Sequence, residues 1–157
     1  SVRNGILSEA SSFPMGKQYL LSKIGESLGV TSEVAASFIK MKKDGTLDMK
    51  ILSKIDQAIQ SVEKDWLKSF TDSLSIMSSS NSLPNTFFLF GPKDVAGIFS
   101  NFISNEEYQQ FSFADGKFEV HEVSTADLAP YCTNSLGINP DVSIMILGLF
   151  SNKMHFI

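Results

Sequence analysis

The chain has 157 residues, a hydrophobic content of 43%, 13 phenylalanines and a formal net charge of −4. That length and composition predict one core-forming domain over residues 1–157 and exclude wholesale disorder. The acidic balance argues against a general nucleic-acid binder, and the single Cys132 excludes an internal disulfide framework and fits a reducing compartment.

In chain order, Asn4-Gly5 lies between short strand-like runs and predicts a hairpin turn within Val2 to Ser12, with the strand ending at Phe13-Pro14. Gly16 opens a helix with Leu20, Leu21, Ile24 and Leu28 at helical spacing, and Gly29 follows as its stop. Thr31 or Ser32 caps a second helix, with Glu33 in its first turn. Val34, Phe38 and Met41 share one face of that helix. Lys40, Lys42 and Lys43 sit where the helix dipole favours cations, and Gly45 ends it. Asp48 caps the longest helix. Its apolar stripe is Ile51, Ile55, Ala58, Ile59, Val62, Trp66, Phe70 and Leu74, and Lys54, Asp56, Gln60, Glu63, Lys64 and Asp72 lie opposite.

Ser78 to Pro84 is a Ser/Asn-rich linker. Thr86 to Phe90 reads as a buried strand and Gly91-Pro92 as a turn. Asp94 can cap a helix that points Val95, Ile98, Phe99 and Phe102 inward. Phe111, Phe113, Phe118, Val120 and Val123 are the apolar members of returning strands, with Asp115-Gly116 as a hairpin turn. Ser124 to Cys132 is irregular or a short helix, broken by Pro130. Pro140 and Asp141 suit the start of a final helix, Val142 to Phe150, whose periodicity also fits a buried strand. Strands alternating with helices predict an α/β fold, a mixed sheet flanked by helices. No apolar run reaches membrane-spanning length, which predicts no direct membrane insertion. Ser1 stands where a Met would begin an open reading frame, and no secretory-leader pattern follows. The expectation is a processed product or an excised piece of a larger protein.

The isolated chemical candidates carry bland readings. Alternation puts His121 and Glu119 on one strand face and Glu122 on the other, with no third metal ligand indicated. Cys132 lacks a nucleophile signature and reads as a small buried residue. Asp44, Gly45 and Asp48 do not meet calcium-loop spacing. The lysines at 40, 42 and 43 are too few for nucleic-acid binding. Trp66, Phe70 and the other phenylalanines are most simply core.

The order of elements, with four short motifs, resembles the C-terminal lobe of bacterial actin-like ATPases, the FtsA and PilM families of cell-division and pilus-assembly proteins, with their ribonuclease H-like fold. Phe13-Pro14-Met15-Gly16 is similar to the family's first strand turn, and Ala36-Ser37-Phe38-Ile39-Lys40 to its next helix motif. Phe90-Gly91-Pro92 with Val95-Ala96-Gly97-Ile98 is similar to the adenosine turn, and Ile146-Leu147-Gly148-Leu149 to the last helix. The resemblance implies a vestigial nucleotide site at Gly16, Lys40 and Gly91. It departs from the family at Lys17 and Pro92, where second glycines belong, and at Ser37, where a ribose-contacting Glu belongs. Pro92 also has no N–H to offer. No catalytic residue, metal or cofactor is implied for this chain, and ATP with Mg would bind only with a partner lobe.

The implied function is a non-catalytic scaffold of a bacterial division or pilus-type envelope system. It would be cytoplasmic, reach the inner face of the membrane through partners, and act by contact with a protein partner or by self-association. The alternatives are a nucleotide-binding lobe cut from its partner lobe and an unrelated small-molecule-binding α/β domain. Phenylalanine-rich surface left open by a missing lobe would be engaged by another chain.

Overall fold

A computed structural model describes residues 2–3, 6–7, 10–78, 83–108, 111, 118–132 and 141–154. The chain is a mixed α/β protein whose contacts divide it into two compact units. Residues 1–85 with 105–117 make the first, and 86–104 with 118–157 make the second.

The first unit is mainly helical. Two short strands, β1 (Val2–Arg3) and β2 (Ile6–Leu7), pair antiparallel, Val2 opposite Leu7 and Arg3 opposite Ile6. This is the expected hairpin ladder; its Asn4-Gly5 turn lies outside the described residues. The expected strand at Phe13 is absent. Phe13 is irregular, and its ring meets the edge of Trp66 at 5.5 Å between centroids. Aromatic contact with a helix, not a ladder, fixes the chain there.

Helix α1 (Lys17–Leu28) follows, burying Leu20, Leu21, Ile24 and Gly25. It ends as a Schellman motif. Gly29 takes the left-handed conformation at φ 69°, its N–H donates to Glu26, and Val30 N–H donates to the Gly25 carbonyl at 2.9 Å. A side chain at Gly25 would put its Cβ 2.7 Å from the Val30 oxygen, so the tight return of the chain requires glycine there. The stop of α2 (Ser32–Lys43) repeats this device. Gly45 N–H donates to Lys42 and Thr46 N–H to Met41.

Helix α2 buries Ala35 and Ile39, not the Val34–Met41 face, whose ends are 41% and 38% exposed. Both stripes satisfy helical spacing, and packing against α1 selects the one that is buried.

Helix α3 (Met49–Met77) is capped by Asp48, whose carboxylate accepts from Lys50 N–H at 2.8 Å. Its 29 residues span roughly 43 Å at 1.5 Å per residue. The expected stripe is buried at Ile55, Ala58, Val62, Trp66, Phe70 and Leu74, while Ile51 and Ile59 are half-buried. α1 packs on α3 and on α2. Lys42 on α2 forms a 2.6 Å ion pair with Asp56 on α3. Toward the C-terminal end of α3, Trp66 stacks on Phe70, and Phe70 meets Tyr108 edge-on at 5.8 Å. Ser73 is buried and accepts a hydrogen bond from the Ser11 hydroxyl. Leu83, in the expected linker, is also buried, and its N–H donates to the Phe111 carbonyl. Residues 79–82 of that linker lie outside the described ones.

The second unit contains a β–α–β element. Strand β3 (Thr86–Leu89) pairs parallel with β4 (Glu119–Glu122), with Thr86 opposite Glu119 and Phe88 opposite His121. Parallel neighbours need a crossover, and α4 (Ala96–Ser104) lies in it, burying Ala96, Phe99, Phe102 and Ile103. The chain enters α4 through a turn on the Pro92 carbonyl, which accepts from the N–H groups of Val95 and Ala96. The expected Asp115-Gly116 hairpin lies outside the described residues.

After β4, Ser124 and Asp127 bond to each other at the start of α5 (Thr125–Leu128), and a 3-10 turn covers Ala129–Tyr131. The last segment is helical, as α6 (Val142–Met154), which removes the buried-strand reading. Asp141 starts it, accepting from Ser143 N–H at 2.7 Å.

Candidate functional site

Gly16 and Lys40 belong to the first unit and Gly91 to the second. Gly16 precedes α1 with extended backbone, φ −88° and ψ −158°, and a Cβ there would meet nothing within 4 Å. Gly91 is equally open and belongs to the second unit. Neither position needs glycine for space. Lys40 is exposed in the last turn of α2, near the negative end of the helix dipole. Lys17 begins α1, Ser37 donates its hydroxyl to the Glu33 carbonyl within α2, and Pro92 anchors the turn into α4.

The first unit carries an open groove of about 400 Å³ beside α3. Lys64, Lys68 and Asp72 form one side, and Glu106, Glu107 and Tyr108 contribute the other. Burial pushes the Tyr108 phenol well above its ordinary range, and the charges of Glu106 and Glu63 add to the shift. At neutral pH this tyrosine is a neutral hydroxyl, so it supplies no base. The groove mixes cations with carboxylates and offers no charge preference for a polyanion. Among the described residues, no group of three His, Cys, Asp or Glu side chains is placed to hold a metal ion.

The more distinctive surface belongs to the β–α–β element. Alternation places Phe87, Leu89, Val120 and Glu122 on one face of the pair and Thr86, Phe88, Glu119 and His121 on the other. The first face receives α4. Phe87 packs on Phe118 at 4.3 Å, and Glu122 reaches within 3.6 Å of where a Gly97 Cβ would stand. The second face is open, with Phe88 64% exposed. This corrects the expectation of a fully buried strand. Phe88 stacks on His121, ring centroids 5.7 Å apart and planes at 27°, and His121 Nε2 lies 3.2 Å from Glu119 Oε1. The expected sharing of a face by His121 and Glu119 is therefore met. The cross-strand partner, Phe88, was not visible because the sequence does not reveal which strands pair. Cys132 is half-buried, with Sγ 4.0 Å from the Met145 carbonyl oxygen.

No family model matches this chain, and no match was found among the curated proteins or the solved structures.

Proposed function

We propose that this chain is a non-catalytic module that works by protein–protein contact. The observation that carries the reading is the open Phe88 face of the parallel β3–β4 pair. Parallel sheets are ordinarily covered on both faces, and the two strands found among the described residues are fewer than an independently stable sheet uses. An aromatic side chain held on a ladder and 64% exposed supplies apolar area to a partner with few rotamers to freeze. The Glu119–His121 pair beside it adds polar groups that orient the contact.

Placement in a bacterial cell-division or pilus-type envelope system, as a degenerate actin-like lobe in the cytoplasm, is the finer form of this proposal. It rests on the motif resemblance alone. The absent strand at Phe13 weakens that ancestry without touching the contact reading. Among the described residues no helix is long and apolar enough to cross a membrane.

The test is a photo-crosslinking residue placed at Phe88, with Lys54 on the polar face of α3 as the control position. A discrete protein adduct at 88, suppressed by excess unlabelled chain and absent at 54, is the expected result. Equal labelling at both positions, or micromolar binding of Mg-ATP by calorimetry, would overturn the reading.

A further inference from the structure

We infer that the open face of the β3–β4 pair binds an arginine side chain of a foreign protein partner, its guanidinium stacked on the Phe88 ring and hydrogen-bonded to the Glu119 carboxylate. The inference rests on the contact reading above and names the chemistry of the group that the face receives. Register sets the arrangement. Thr86 lies opposite Glu119 and Phe88 opposite His121, so Phe88 and Glu119 are diagonal neighbours on one face. His121 links them. Its ring stacks on Phe88 at 5.7 Å between centroids, and its Nε2 lies 3.2 Å from Glu119 Oε1. One imidazole thus holds a ring and a carboxylate that both face solvent, Phe88 64% exposed and the Glu119 side chain 66%.

This pairing of groups decides between covers. An apolar segment laid over Phe88 would strip water from the Glu119 carboxylate and return no hydrogen bond to it. An acidic segment, or a nucleic acid stacking a base on the ring, would bring like charge to Glu119. A cation satisfies the ring and the carboxylate at once. Arginine fits better than lysine, because its guanidinium is planar and weakly hydrated, stacks on aromatic rings and presents parallel N–H donors to a carboxylate. Charge beyond the face favours the same occupant. Residues 86–104 and 118–157 hold five carboxylates and two lysines, whereas the charges of the other unit nearly balance. The acid excess of the protein therefore lies on the unit that bears Phe88, where it steers basic segments inward. A second copy is a poor source of the cation. The chain has a single arginine, Arg3, and every copy carries the same net charge of −4.

Two-dimensional NMR of the isotope-labelled 157-residue chain tests the inference. The probes are the peptide acetyl-Leu-Arg-Leu-amide and its twin with citrulline, which keeps the shape of arginine without the charge. The arginine peptide should shift the amides of Thr86–Leu89 and Glu119–Glu122 with a dissociation constant on the order of 1 to 10 mM. The citrulline peptide should bind about two- to fivefold more weakly. Glu119→Gln should bring the arginine peptide down to the citrulline level. Glu122→Gln, the same charge change on the other face of the strand, should not. Phe88→Leu keeps apolar bulk but removes the ring, and should weaken the arginine peptide about two- to fivefold. Phe88 and Glu119 are exposed, so these variants should melt with the natural chain, which separates a lost seat from a damaged fold. Equal affinity for the two peptides, or equal effects of Glu119→Gln and Glu122→Gln, overturns the inference. The Phe88 crosslink tells this failure from failure of the contact reading. An adduct formed in full yield by Glu119→Gln removes the arginine and keeps the contact, whereas no adduct in the natural chain removes both. An adduct of twice the chain's mass that vanishes in Arg3→Gln makes a second copy the occupant and overturns the foreign partner.

Discussion

The two units differ in how they use glycine, Gly16 apart. In the helical unit, Gly25, Gly29 and Gly45 each answer a backbone demand: one close approach and two left-handed helix ends. The α3 stripe is buried at Ile55, Ala58, Val62, Trp66, Phe70 and Leu74, with α1, Phe13 and Tyr108 packed on the helix. In the second unit, Gly91 and Gly148 stand in open space, and Phe88, Phe90, Ile144 and Leu147 face outward. Each unit closes a core, and each leaves large apolar side chains exposed, Met49 and Ile76 on the first and Phe88, Ile144 and Leu147 on the second, but only in the second does one stand on a strand face. The contrast separates residues kept by folding from residues that folding does not use, and the second group is where contact function is proposed.

The largest effect that would sharpen the comparison is expected at Trp66. It is 7% exposed, set edge-on to Phe13 and stacked on Phe70 at 4.8 Å. Trp66→Ala should cost about 3 to 5 kcal/mol, since neighbouring rings cannot collapse fully into the vacated volume. Urea denaturation followed by circular dichroism measures it, because Trp66 is the single tryptophan and its fluorescence goes with it. Hydrogen exchange should show α1 and α3 losing protection while β3 and β4 retain theirs. Equal loss in both units would break the picture of two separately built bodies.

Next come the glycines. Gly25→Ala drives a Cβ to 2.7 Å from the Val30 carbonyl oxygen, a backbone atom that moves only with the Schellman turn. A loss of about 1 to 3 kcal/mol is expected, the range for forcing extra volume into a packed site. Gly148→Ala should instead gain up to about 1 kcal/mol from helix propensity, having nothing to strike. Thermal denaturation of the two variants gives the comparison directly. The same sign for both would show that the open and closed glycines are not different in kind.

These contrasts also mark how far the sequence could be read. Gly29 and Gly45 announced their helix ends, and Asp48 its helix start, because the signal and the structure it makes are neighbours in the chain. The α3 stripe was legible because eight positions repeat one spacing. Gly25 gives no such signal, because it lies inside the last turn of α1 and its crowding comes from Val30, which approaches only after the chain reverses. The face that α2 would bury was ambiguous between Val34–Met41 and Ala35–Ile39, a choice made by α1. The parallel pairing of Thr86–Leu89 with Glu119–Glu122 was the deepest gap. Alternation identifies a strand, but nothing local in it specifies a partner some 30 residues away across a helix. At Gly16 and Gly91 no protein atom lies where a Cβ would stand, so the fold by itself gives no reason for glycine at either turn.

The smallest effect concerns acid, and it falls on the second unit. Asp141 accepts hydrogen bonds from the Ser143 and Ile144 N–H groups at the start of α6, and these hold its carboxyl below the ordinary aspartate range. Asp127 is lowered in the same direction by the Ser124 hydroxyl and backbone N–H at the start of α5. A depressed folded-state value means that each cap contributes at pH above the unfolded value of about 3.9 and is lost as pH falls through the folded value. Acid should therefore fray the first turns of α5 and α6 below about pH 4. Amide shifts of Ser143 and Ser124, followed by two-dimensional NMR, should titrate with midpoints below that of a free aspartate. Added salt should change those midpoints little, because hydrogen bonds and not distant charges cause the depression. Midpoints at the ordinary aspartate value would mean that the caps are not formed in solution. Helix α6 would then lack the ordered first turn on which Ile144 is presented.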